Sequence, residues 1–427
     1  MKTKKLLSII TSGLLLASIL AGCSSTPANS NTGSSAKEVH LKLFIGQGQA
    51  RFKEQYTKYF DQFAAKYEKE KGVKVTYDLE MPDANTSDQL LKTRLAGGDD
   101  MDIFAVHAAN QIPDFGKAGY LEDLNDQPFA SKIIEKIKGP VSYNGKIVAV
   151  PLENSSWGYI YNKKIFKDNN ITVPTTLSEL KAVTAQLKAK GITPWLLSYK
   201  DSWVPQLVNS LAVGAYVNTT DKDFIDRMNK GQGSYKEIQG MFDVMDLINA
   251  NGTPKPLDLG ADPACGDFAN GKAAMWLQGP WESAQILKAN PNFELGVAAL
   301  PISDDPSQTM VNLGVSTSLA LSTHSKNKEV AKALLNYMYD DQDSAGFFQA
   351  CQFAPVATIH NYKVESFVED ATAYVKAGKA YVDPSMPQAV KDEVGKALQG
   401  YYLKSMSKDD VIKDLDKVWA DSVKASK

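Results

Sequence analysis

Cysteine is nearly absent: three residues in a chain of 427. So sparse a supply excludes a disulfide-built scaffold. Setting Cys23 aside, only Cys265 and Cys351 remain, far apart in sequence. They are open to one bridge or two buried thiols, and the thiols are expected because a chain of this size needs no staple. Histidine is equally scarce, with four scattered residues and no helical His-x-x-x-His pair, so no metal centre is expected. No Lys/Arg run supplies the clustered basic face that nucleic acid requires. Also missing are a Gly-x-Ser-x-Gly elbow, His-Glu-x-x-His and a Ser-x-x-Lys set, which removes the hydrolases that sequence can reveal. A glycoside hydrolase stays open, because the spacing of its two carboxylates is not fixed in sequence.

What is present is an ordinary globular composition, 43% hydrophobic and 22% charged. That length exceeds one ordinary core and favours two domains. The formal net charge is −2; taking Lys2, Lys4 and Lys5 from the 47 cations leaves 44 against 49 acids, about −5 by the same count. A neutral or compact ligand suits such a chain better than a polyanion.

Those three lysines open a leader pattern. Leu6 to Leu20 is an apolar run of fifteen residues, short of the roughly 20 that span a bilayer as a helix. Leu20-Ala21-Gly22-Cys23 follows and resembles the lipobox of bacterial lipoproteins, in which the cysteine is acylated and becomes the new N-terminus. Two acyl chains hold a protein stably at a membrane surface. The expectation is a signal peptide over 1–22, a lipid anchor on Cys23 and a flexible tether over 23–38, built from Ser, Thr, Asn, Gly, Ala and Pro.

Beyond the tether, Val39–Ile45 alternates as a strand, and Arg51–Lys71 carries aromatics at helical spacing up to Gly72. Val73–Leu79 alternates again, a helix covers Leu90–Leu95, and Asp102–Val106 is a buried strand. This β-α-β-α-β order predicts a parallel sheet with helices on both faces. The pattern changes near Val150-Pro151. Strands are expected at Trp157–Tyr161, Pro194–Ser198, Ala273–Leu277 and Glu294–Ala299, with helices at Leu177–Lys190, Val204–Val213, Phe224–Asn229, Tyr235–Ile248 and Trp281–Lys288. Ser318–Leu321 with helix Glu329–Tyr339 returns to the first sheet as a strand and crossover helix. Asp392–Val423 reads as a polar-faced helical tail.

Gly271-Lys272-Ala273-Ala274-Met275 followed by Gly279-Pro280-Trp281 resembles the family 1 extracellular solute-binding proteins of ABC importers, the maltose-binding-protein-like group. Three more blocks agree in order: Asp102-Ile103 with Gly119–Leu124; Tyr161-Asn162-Lys163 with Pro174-Thr175-Thr176; and Leu313-Gly314 with Ser325–Ala331. The resemblance implies an α/β, two-lobed periplasmic-binding-protein-like fold of type II, its ligand cleft lying between lobes joined by three hinge crossings. Lobe 1 is then 39–150 plus about 305–352, and lobe 2 is 151–304 plus about 353–427. It further implies a monomer without cofactor, lipid-anchored on the extracellular face of the bacterial cytoplasmic membrane. Such a protein delivers a carbohydrate to the membrane permease of an ABC transporter and is not an enzyme. Glycerol phosphate, a polyamine or a peptide are the other ligands to weigh.

A sugar presents an apolar C–H face and a rim of hydroxyls, so its site pairs flat aromatic rings with amide, carboxylate or guanidinium groups. Trp281, at a helix start after Gly279-Pro280, is similar to the family tryptophan that packs on a sugar ring, whereas Trp276, inside an apolar strand, is expected in the core. Gln47, Gln49 and Arg51 occupy the first strand-to-helix turn, where ligands approach open α/β sheets. That turn lacks the third glycine of a dinucleotide fingerprint. His107 and Asn110 follow another strand end, and Glu153 and Trp157 follow the first crossing. Trp203, in the loop after Tyr199, is a second stacking candidate, and Asp262 a further polar one.

Overall fold

The computed structural model describes residues 37–46 and 49–425. Cys23 and Gln47 lie outside the described residues, as do the side chains of Gln49 and Asn110.

The first strand, Lys37–Phe44, turns Leu41, Leu43 and Phe44 into the core. It pairs in parallel with Val73–Glu80 on one side and Ile103–Val106 on the other. Between the first two strands runs the helix Lys53–Lys71, which buries Tyr56, Tyr59, Phe60, Phe63 and Tyr67 on one face. The parallel expectation holds for these three strands only. Ser318–Leu321 returns to the sheet antiparallel to Ile103–Val106, and Ala149–Pro151 completes the far edge. A strand arriving antiparallel from the other side of the molecule needs no crossover helix of its own.

A second sheet is built from Leu295–Ala298, Tyr159–Asn162, Met275–Trp276 and Trp195–Leu196 in that order. Each sheet has its own hydrophobic core. One runs through residues from Leu41 to Leu152 and again from Val315 to Ala357; the other runs from Trp157 to Ile302 and again from Phe367 to Trp419. The tail helices Gln388–Tyr402 and Lys408–Ala425 belong to the second core, where Val411, Leu415 and Trp419 are fully buried. The tail is therefore amphipathic rather than merely polar. Cys265 and Cys351 are free, buried thiols, one in each core.

Among the described residues the chain passes between the cores three times, over 153–156, 303–314 and 358–366. A small third sheet braces these passages: Ser155–Trp157 lies antiparallel to Val311–Gly314, which lies parallel to Ala380–Tyr381. The stretch expected as one strand, Trp157–Tyr161, is two strands that belong to different sheets. The break falls at Gly158, where a Cβ would lie 2.3 Å from the Ala298 carbonyl oxygen. Only glycine permits that approach.

Candidate functional site

The strand Ser155–Trp157 ends on Trp157, whose backbone partner across the hinge sheet is Asn312. Trp281 arrives from the second lobe, in the single 3-10 turn Pro280–Glu282. The two indoles meet edge to face, with ring centroids 5.3 Å apart and planes at 70°. Trp157 is only 6% exposed, whereas Trp281 is half-buried, so Trp281 keeps the freer surface. Gly279 makes room for it: a Cβ there would lie 2.2 Å from the Trp281 ring. Trp276, five residues earlier, is fully buried, and its indole N–H donates to Ser198 Oγ at 3.2 Å.

The neighbour of Trp281 is charged and buried. Glu282 Oε2 accepts from Arg51 Nη1 at 2.6 Å, and the two side chains are 0% and 7% exposed. The Cys265 thiol donates to the same oxygen at 3.1 Å. Burial works against the Arg51 charge, but Glu282 and Asp262 outweigh it and raise its pKa. Asp262 itself is exposed, on the first turn of the helix Ala261–Ala269. Glu153, in the first crossing, is buried and accepts from Ser316 Oγ, just past the second crossing, at 2.7 Å. Burial, with Glu282 nearby, pushes its carboxyl above the ordinary range, against the pull of Ser316 and Arg51.

A second polar group gathers His107, Asn312, Asp383 and Lys391. His107 precedes the helix Ala108–Lys117, and burial together with the Lys391 charge draws its pKa down to about 3. Lys391 is itself buried, which lowers its pKa against the opposing pull of Asp383 and Asp392. Burial raises the Asp383 carboxyl, while Lys391 and a hydrogen bond from Asn312 Nδ2 act the other way. His107 Nδ1, Asn312 Oδ1 and Gln388 Oε1 are buried with no hydrogen-bond partner. Each such atom costs about 1–3 kcal/mol unless something satisfies it.

One sequence candidate stands apart. Trp203 opens the helix Trp203–Thr219 and packs half-buried on the second core; among the described residues no ring contact joins it to Trp157 or Trp281. Asp201, its neighbour, accepts the Ala261 backbone N–H at 2.7 Å and so anchors a helix start. Sequence reading did not find Asn312, Asp383, Gln388 or Lys391. The one available signal was the pair Pro384 and Pro387 just before the helix Gln388–Tyr402, marking a helix entrance like the one that carries Trp281.

The profile of the bacterial extracellular solute-binding proteins matches residues 53–345. The chain belongs to this family. Its relatives include the multiple sugar-binding protein of Streptococcus mutans, 28% identical over 60% of this chain and 62% of that one, less than two thirds of its length. The maltodextrin-binding protein of Bacillus subtilis is 26% identical over 85% of this chain and 84% of its own. In fold, a sugar transporter of Bacillus licheniformis solved with stachyose superposes with a TM-score of 0.77 at 18% identity, covering 90% of this chain and all of its own. The family is one of binding proteins, and the fold is its two-lobed α/β architecture with the cleft between the lobes. Among the described residues no helix is long and apolar enough to cross a membrane, and no cluster of three His, Cys, Asp or Glu is placed to hold a metal.

Proposed function

We propose that the protein captures a carbohydrate in the cleft and passes it to the permease of an ABC importer, as a monomer held on the outer face of the cytoplasmic membrane by acyl chains on Cys23. The lobes of this reading are 39–150 with about 305–352, and 151–304 with about 353–427. The observation that carries it is the half-open Trp281 ring, backed by Trp157 and flanked by buried polar groups from both lobes. A pyranose needs that combination: the indole face takes the C–H side, and the amides and acids take the hydroxyls. Sugar ligands named for relatives in this family support the same reading.

Charge points the same way. Arg51 faces Glu282, and Lys391 faces Asp383. With its buried cations opposed by carboxylates, the cleft offers little to a phosphate or a polyamine, whose burial demands an uncompensated partner. Arg51, His107, Glu153, Trp157 and Trp281 are the ligand-facing residues of this proposal, which also takes in Gln47, Gln49, Asn110, Trp203 and Asp262.

A thermal-shift screen against mono-, di- and oligosaccharides tests it. A sugar at a hundred times its Kd adds about 2.7 kcal/mol of stability, a readable rise in Tm. No shift from any sugar, with a clear one from glycerol phosphate, spermidine or a peptide, contradicts the sugar assignment.

A further inference from the structure

Arg51 leads into the helix Lys53–Lys71 of the first lobe, with Phe52 set in the first core. Glu282 immediately precedes the helix Ser283–Ala289 of the second lobe, with Ser283 and Ile286 buried behind it. Their ion pair therefore spans the cleft, and it is largely shielded from solvent, with side-chain exposures of 7% and 0%. Ala284, two residues on, also packs against the first lobe's core. Glu153 in the first crossing feels both partners, repelled by Glu282 and attracted by Arg51. One guanidinium thus ties the turn that carries Trp281 to the opposite lobe and to the hinge.

We propose that Arg51 and Glu282 form an electrostatic latch that holds the lobes together before any ligand arrives, with Glu282 as the positioning residue that fixes the Trp281 turn in its ligand-ready place. A buried pair is attractive only while both members are present and close; removing one strands the other's charge in a dry site. Parting the lobes returns both charges to water, so the loss of one partner is relieved by opening. The latch accordingly sets the closed-to-open ratio more than it sets the stability of either lobe.

The test is small-angle scattering of the full, ligand-free chain, so its outcome does not depend on the sugar assignment. Wild type is compared with Arg51→Met, Glu282→Gln, the double variant Arg51→Met/Glu282→Gln and the conservative Arg51→Lys, with Tm recorded for each. The latch predicts a larger radius of gyration for both single variants. This corresponds to a fall in the closed-to-open ratio on the order of tenfold, about 1.4 kcal/mol. The double variant should open no further than the larger single, because the two residues act through one contact. Arg51→Lys, which keeps the charge but not the planar fork, falls between wild type and Arg51→Met and serves as the reference should a charge-removing variant not fold. An unchanged radius in every folded variant, or single effects that add in the double, overturns the latch. A lowered Tm at constant radius does the same, since it marks the pair as structural only.

Discussion

Trp281 and Trp276 are the same residue type five positions apart, with opposite surroundings. Trp281 lies half-open on Trp157, while Trp276 is fully buried with its N–H satisfied. Trp281→Ala removes a stacking face and is expected to cost about 2 kcal/mol or more in sugar binding, roughly thirtyfold. Trp276→Ala is expected to cost about 3–5 kcal/mol of folding stability instead. Calorimetric titration and denaturant unfolding on both variants separate the two roles. If Trp281→Ala binds as wild type does yet unfolds much more easily, the stacking role passes to another ring. Gly279→Ala is a gentler probe, because a Cβ 2.2 Å from the Trp281 ring forces that ring to turn. It should weaken binding with little change in unfolding. His107 makes a pH prediction. The folded protein keeps it neutral down to about pH 3, while an unfolded chain protonates it near the ordinary value of about 6.5. Between those values the unfolded state binds the extra proton, so stability falls as pH drops through that window. The slope from this group is at most about 1.4 kcal/mol per pH unit. His360, drawn down to about 4 by burial, adds a smaller share of the same sign. His107→Gln should flatten urea-measured stability between pH 6 and 4; an unchanged slope rules out His107 as its source.

Helices and strands with strong local patterns were legible at the scale of the element, because what forms them is local. The helix Leu177–Ala189 shows this well: Thr176 accepts the Glu179 N–H, and Glu179 reaches back to the Thr176 N–H, a capping box readable as Thr-x-x-Glu. Thr176→Ala should lower stability by about 1 kcal/mol in denaturant unfolding without touching binding. The hinge sheet was not legible, for a physical reason. Its strands are two to four residues long, too short for any periodicity, and Asn312 meets Trp157 only because the chain returns to it more than 150 residues later. Sequence distance likewise hid Asp383 and Lys391, whose polar character looks like any surface until the fold brings Lys391 to His107 and Asp383 to Lys391. The strand break at Gly158 was hidden on the same account, since its close approach to Ala298 exists only once the distant strand Leu295–Ala298 lies alongside. A local motif and a strand end mark Trp281 and Arg51 in the sequence; the buried contact of Arg51 with Glu282, the neighbour of Trp281, needed the structure.

For the whole molecule, two cores, three crossings and a polar, aromatic seam between them are the parts from which we propose one device: a cleft that takes a sugar and a hinge that reports it. At the membrane, Cys23→Ala should release the protein or stall its processing; fractionation that finds the variant membrane-bound and normally cleaved contradicts the anchor. The central claim is that the seam around Trp281 binds carbohydrate. Its most direct measurement is calorimetric titration of the purified protein with malto-, raffinose-family and chito-oligosaccharides, run in parallel on Trp281→Ala. Saturable one-to-one binding of at least one of these sugars is expected, with affinity reduced about thirtyfold or more in the variant. Heats of dilution alone for every sugar, or a sugar that binds both proteins equally well, contradicts it.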